Sequence, residues 1–323
     1  MFYHLQYVLM RVLITGGDGF IGKNLAQSLL NRGDNVHVLD NHVTSHPILN
    51  HESLTRTTGD VCDVFDLISE DKGPDVIVHL ASVAIPKLYM KEPDFVIRPN
   101  VIGTNEVCKL AEKYGSRVIF ASTSEVYGST IDGVSVGTSL SENSFSLSSL
   151  LSPRTPYSVS KKMGEEIVHS FIRKGNSGCS VRFFNVIGPN MDKAVLGYGR
   201  VIPNFVDSIV QNKSLTIYGD GHQTRCFLWI NDAVSALLKL IDFKKDIPSV
   251  INIGHSQQTS ILDLAHLFNE IAGVQNDVEF LEKLPDEPKH RRPNISLAKS
   301  MLDWEPTIDL YDIVSKILTE AVE

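Results

Sequence analysis

Short apolar runs alternate with longer segments of helical period through the amino-terminal part of the chain. The runs are Val12–Gly16, Asn35–Asp40, Val76–Ala81, Arg117–Thr123 and Ser180–Val186, and each reads as a strand. Their apolar residues are largely continuous, which implies burial on both faces, as in a parallel sheet. Between them, Gly19–Arg32, Asp94–Tyr114 and Pro156–Lys174 carry helical spacing. The alternation predicts an α/β fold with a doubly wound parallel sheet wrapped by helices. Ser129–Pro153 is rich in Ser and Gly and has no period, so it reads as a loop near the site. After Pro189 the texture changes to turns and short strands such as Leu215–Gly221. Phe227–Ile241 and Val250–Gly254 read as one more helix and strand returning to the first sheet. The expected division is therefore 1–184, with returning segments near 226–255, and a smaller substrate-binding α/β domain over 185–323, interleaved with the first.

Composition narrows the classes open to this chain. It has 323 residues, 42% hydrophobic and 21% charged, a soluble globular balance. A net charge of −8 works against nucleic-acid binding, which relies on a basic surface. Cys62, Cys108, Cys179 and Cys226 lie far apart with no metal-ligand spacing, so we expect reduced thiols and no metal. No apolar run is long enough to cross a membrane, and the opening MFYHLQYVLMR lacks a basic leader with a small-residue cleavage site. The expectation is a cytoplasmic protein. Residues 1–7 read as an extension before the first strand, with Met10 an equally good start.

TGGDGFIG follows the first strand and opens a helix. Gly16 permits the tight turn, Gly19 lets the backbone approach a pyrophosphate, and Gly22 allows close packing of helix on sheet. Phe20 and Ile21 lie on the same phosphate-facing turn, where free N–H groups attract anions. Asp40 ends the second strand, followed by Asn41, and can accept hydrogen bonds from adenosine ribose hydroxyls. A 2′-phosphate would be repelled there, and Asn41–His42 offers no Arg, so NAD is expected rather than NADP.

Tyr157 and Lys161 are four apart on a helical segment and share a face. An ammonium beside a phenol favours the phenolate, which equips tyrosine to exchange a proton with a substrate hydroxyl. The strand RVIFA runs into Ser122, Thr123, Ser124 and Glu125 at the carboxyl edge, where ligands bind in such sheets. The hydroxyls could bind a substrate oxygen, and Glu125 could act as acid, base or charge-steering group.

TGGDGFIG, VHLAS, STSEVYG, YSVSK and FFNVIGPN together resemble the extended short-chain dehydrogenase/reductase family of sugar-nucleotide epimerases, dehydratases and decarboxylases. The resemblance runs on through GRVIPNF, LTIYGDGHQTRCFLWINDAV, NIGHSQQTSILDLA and HRRPNISLAKSMLDWEP. It implies a Rossmann domain holding NAD and a smaller domain holding a UDP-sugar. By motif, Asp60 and Val61 fall at the adenine, and Leu80, Ala81, Ser82 and Asn100 along the dinucleotide. Thr123, Tyr157 and Lys161 fall at the catalytic centre with Ser124 and Glu125. Asn185, Arg225 and Arg291 are assigned to the diphosphate, and Thr216 and Tyr218 to the uracil. Arg154, Arg200, Val201 and Gln223 complete the substrate set. A homodimer through Asp94–Tyr114 and Pro156–Lys174 is also implied.

Within that family the combination ASVAIPKLYMKEP, STSEVYG, PRTPY and GRVIPNF looks most like the UDP-glucuronate decarboxylases. Pro156–Lys161 is closer to the 4-epimerases, and Ser124 stands where 4,6-dehydratases place an acidic Asp. Decarboxylation is the first expectation, 4-epimerisation the alternative and dehydration the third. A non-catalytic NAD-binding scaffold is the reading from another class, and Tyr157→Phe separates it from the enzymes.

Overall fold

The structure is a computed structural model that describes residues 9–69, 72–128, 139–144, 154–189, 191, 201–283 and 288–322. Seven parallel strands form its central sheet. In chain order the first six are β1 (Arg11–Thr15), β2 (Asn35–Asp40), β3 (Leu54–Thr58), β4 (Val76–His79), β5 (Arg117–Thr123) and β6 (Gly178–Phe183). Across the sheet they run Val250–Ile253, β6, β5, β4, β1, β2, β3. The order reverses between β4 and β1, and at such a switch point the loops part to leave a crevice at the carboxyl ends. Every residue of β4 and β6 is buried, as continuous apolar strands require.

Helices cover both faces. On one side α1 (Phe20–Arg32) packs with Ile230–Ile241, burying Leu25, Leu29 and Leu237 completely. On the other, Thr104–Tyr114 packs with Thr155–Arg173 over Val107, Leu110, Phe120 and Phe171. One strand carries no apolar run to announce it: LTRTT, low in apolar content, forms the edge strand β3, beside β2. One local expectation is corrected. Asp94–Tyr114 is not one uniform helix: Asp94–Ile97 leads into a widened π-helical stretch, Arg98–Gly103, before Thr104–Tyr114. Pro99 lies in that stretch and has no N–H to close a regular turn, which accounts for the widening.

The remaining chain builds a wall over the carboxyl edge. Leu215–Tyr218 pairs in parallel with Val278–Leu281, and Thr224–Arg225 pairs antiparallel with Thr259–Ser260. Of the expected loop 129–153, residues 129–138 and 145–153 lie outside the described residues. The part between them is anchored: Leu140 N–H donates to Arg292 O at 2.8 Å, and Asn294 N–H donates to Leu140 O at 2.8 Å. Among the described residues no helix is long and apolar enough to cross a membrane.

Candidate active site

A cavity of about 650 Å³ runs along the carboxyl ends of the strands and beneath the carboxy-terminal wall. At one end the glycine loop lies against β4. Gly16 has φ +70°, and a Cβ there would sit 2.7 Å from the Ala81 backbone. On Gly22 a Cβ would collide with the Gly16 carbonyl, so this position in the first turn of α1 tolerates no side chain. The Asp40 carboxylate is fixed by three donors: Asp18 N–H at 3.0 Å, His42 N–H at 2.9 Å and the Ser45 hydroxyl at 2.8 Å. Ser82 Oγ is buried and lacks a protein hydrogen-bond partner in the same cavity wall. A cradle closed to side chains, an aimed carboxylate and an orphaned hydroxyl suit a dinucleotide, with its pyrophosphate at the helix start and a ribose at Asp40.

The tyrosine–lysine pair projects from Thr155–Arg173, which opens with Pro156 in its first turn. One turn separates Tyr157 from Lys161, and both line the cavity with Thr123 and Ser124. Lys161 is buried and donates from Nζ to the Ala121 carbonyl at 2.7 Å. Burial drives its pKa down to about 7, against the opposing attraction of Glu165. The Phe120 ring lies 4.8 Å from its Nζ. The Tyr157 ring stacks on Tyr89 at 5.2 Å between centroids. Sequence reasoning gave Tyr89 no role, and nothing in ASVAIPKLYMKEP singles it out until the fold brings it to Tyr157.

Behind the helix lies a buried ionic pair. Arg182 grips both oxygens of Glu165 at 2.7 Å, and the Ser122 hydroxyl donates to the same carboxylate at 2.6 Å. This pair locks the helix to β5 and β6 one turn beyond Lys161.

At the other end of the cavity arginines from distant parts of the chain converge. Glu125 Oε1 accepts from Arg154 at 3.0 Å and from Arg291 at 2.8 Å. Burial alone would raise the Glu125 pKa, but the charge of Arg291, then that of Arg154, with a hydrogen bond from Arg291 and the more distant Arg225, hold it at about 2. In that state Glu125 is an ionised acceptor for both arginines. Arg225 is itself oriented by the carbonyls of Thr224 and Pro288, at 2.8 and 2.9 Å.

Most residues singled out from the sequence meet in this one cavity: Gly16, Gly19, Phe20, Ile21, Gly22, Asp40, Asn41, Asp60, Val61, Leu80, Ala81 and Ser82 at the dinucleotide end. Arg154, Asn185, Val201, Thr216, Tyr218, Gln223, Arg225 and Arg291 line the remainder. Arg200 lies outside the described residues. Two placements depart from expectation. Asn100 does not line the cavity; it is fully buried behind the helix that carries Tyr157, donating to Ser160 Oγ at 3.0 Å, while Ser160 donates to the Tyr157 carbonyl at 3.0 Å. Asn185 reaches the cavity wall, but its amide nitrogen is engaged by the Cys226 carbonyl at 2.8 Å and its backbone adopts φ +40°. Its amide therefore ties the segment after β6 to the one after Arg225, a role that its assignment to the diphosphate did not anticipate.

A Rossmann sheet, a glycine cradle and a tyrosine–lysine pair sharing one cavity define a dinucleotide-dependent enzyme that works on a hydroxyl group. The chain belongs to the NAD dependent epimerase/dehydratase family, whose model matches residues 12–254. It is an NAD-dependent enzyme. Its sequence is 34% identical over 314 residues to UDP-glucuronic acid decarboxylase 1 of Xenopus tropicalis, covering 95% of this chain and 71% of that protein. It is 33% identical over 320 residues to UDP-glucuronic acid decarboxylase 1 of Arabidopsis thaliana, covering 96% and 69%. Among solved structures, UDP-glucuronic acid 4-epimerase from Bacillus cereus, in complex with UDP-glucuronic acid and NAD, aligns with a TM-score of 0.84 and 28% identity, over 97% of this chain and 99% of that one.

Proposed function

We propose that this enzyme decarboxylates UDP-glucuronate to UDP-xylose through a 4-keto sugar. The observation that carries the proposal is the pairing of Arg154 and Arg291 with a single Glu125, together with Arg225 in the lining of the cavity that holds Tyr157. Three cations against one anion leave net positive charge for a diphosphate and a sugar carboxylate. The full-length similarity to UDP-glucuronic acid decarboxylases supports the same substrate.

NAD supplies reversible hydride transfer at sugar carbon 4. Tyr157, with the charged form of Lys161 favouring its phenolate, removes the 4-hydroxyl proton, and Thr123 hydrogen-bonds the same oxygen. The resulting ketone lies β to the carboxylate, so carbon dioxide leaves and its bonding electrons delocalise onto the ketone oxygen. Carbon 5 then takes a proton from solvent, and Tyr157 gives its proton back to the 4-oxygen as the ketone is reduced by the hydride that bound NAD would return. Ser124 adds a hydroxyl beside the reacting carbons. Glu125 aims Arg154 and Arg291 at the carboxylate.

The test is incubation with UDP-glucuronate, UDP-glucose and UDP-N-acetylglucosamine, with products followed by mass. Loss of carbon dioxide from UDP-glucuronate is expected. An isomer of unchanged mass would identify 4-epimerisation, which the Pro156–Lys161 pattern favours, and would sink the decarboxylase reading.

The domain division at 184/185 and a cytoplasmic location belong to the same proposal. So does a homodimer: Ile97, Ile102, Val159 and Met163 are exposed apolar residues on the helical segments Asp94–Tyr114 and Thr155–Arg173. Light scattering on the purified protein should give twice the chain mass, and a monomer would refute the pairing.

A further inference from the structure

Just behind the lining at the adenosine-ribose end of the cavity, next to Asp40, stands a second carboxylate that the reading of Asp40 did not use. Asp18, inside the glycine loop, donates its backbone N–H to Asp40. Its own side chain is 1% exposed and faces an arginine and a histidine. Arg56 lies 3.3 Å away through both Nε and Nη2, and His42 Nε2 lies 3.0 Å away. Arg56 comes from β3, where it pairs in register with Val38 of β2. An arginine therefore does stand beside the ribose end, although the residues directly after Asp40 include none.

We propose that Asp18 is a cofactor-selectivity residue: by holding Arg56 in an ion pair, it denies a 2′-phosphate the guanidinium that would otherwise receive it. The inference rests on NAD lying with its adenosine ribose at Asp40. A 2′-phosphate on that ribose would bring a multiply charged anion toward two carboxylates, Asp40 and Asp18. The residues 39–45 that line this end supply no Lys or Arg in return. Arg56 is the cation within reach of Asp18 that has the planar fork for bidentate phosphate binding. Its side chain remains 26% exposed, which leaves it room to turn once released from Asp18. Asp18 removes that option at little cost to NAD, whose ribose carries only hydroxyls there. Selection then has two parts: Asp40 recognises the hydroxyls, and Asp18 occupies the arginine.

The experiment incubates purified enzyme with an equal, saturating mixture of NAD⁺ and NADP⁺, removes free nucleotide, and quantifies what acid releases. Wild type should retain NAD⁺ almost alone. Asp18→Asn, nearly isosteric, should raise the ratio of bound NADP⁺ to NAD⁺ by about tenfold or more, and Asp18→Ser should act in the same direction. Adding Arg56→Ala to Asp18→Asn should abolish the rise, whereas Arg56→Ala alone should leave the wild-type ratio unchanged. The proposal is overturned if neither Asp18 variant shifts the ratio while total bound nucleotide is preserved, or if the shift survives loss of Arg56. Asp40→Ala is the separate control for ribose placement: if it does not alter NAD⁺ retention, the placement fails independently of Asp18.

Discussion

Lys161 carries a charge into a site that disfavours it, and the consequence is measurable as a pH-dependent stability. Its pKa falls from 10.5 to about 7 because burial strips water from the ammonium. That displacement corresponds to about 5 kcal/mol, a penalty fully present below pH 7, where the lysine is charged in both folded and unfolded chains. Between pH 7 and 10.5 the unfolded chain holds the proton more tightly than the folded one, so stability rises with pH and the penalty fades. Lys161→Met keeps the length of the side chain and removes the titration. Integrating proton uptake from pH 7 to 9, wild type should gain about 2 kcal/mol relative to the variant. The assay is urea unfolding of both nucleotide-free proteins at each pH, reading the change in their stability difference. The lost bond to Ala121 and the packing of methionine do not titrate, so they cancel in that change. A difference that stays constant, or that moves in favour of the variant as pH rises, would refute the assignment of a depressed pKa to Lys161.

Three further outcomes follow from the same geometry. Tyr157→Phe should keep the ring stacked on Tyr89 and the fold intact, while turnover falls by about 10² to 10⁴, checked by steady-state rates beside circular dichroism. Arg182→Ala leaves the Glu165 carboxylate buried without its main partner and should cost about 3–5 kcal/mol in urea unfolding at neutral pH. Arg182 holds the Glu165 pKa below the ordinary carboxylate value against burial, so this stabilisation is lost as pH falls and the gap from wild type should narrow in acid; an unchanged gap would argue against the pairing. Gly22→Ala should abolish retention of NAD, read as nucleotide released from the purified protein, because the added methyl meets the Gly16 carbonyl.

The dinucleotide half of the site was legible because one local stretch encodes it. Gly16, Gly19 and Gly22 follow a strand, and Asp40 ends the next, so spacing and strand ends place them together. The same holds for Tyr157 and Lys161, which a single helical turn unites. Arg56 was hidden because LTRTT lacks the apolar run that marks an interior strand, and an edge strand needs less of one. Asn100 was misplaced for a related reason: the widened turn around Pro99 carries it behind the helix, and a proline within a helical pattern does not say how the turn will open. The meeting of Glu125 with Arg154 and Arg291 spans 166 residues of chain for the longer pair. No local period records such a contact. Family motifs named the participants, while the ionised state of Glu125 required the distances.

The return of Val250–Ile253 to the sheet also governs how the protein can be made. β6 is buried along its whole length and pairs on one side with this late strand, from Ser180 against Val250 to Phe183 against Ile253. A chain stopped at residue 184 would present β6 as a bare apolar edge, the kind of template on which other chains add. During synthesis the Rossmann sheet therefore stays open until the segment through Ile253 is available. The two functional halves mature as one cooperative unit, and expressing the dinucleotide-binding part alone should give aggregate instead of a soluble module.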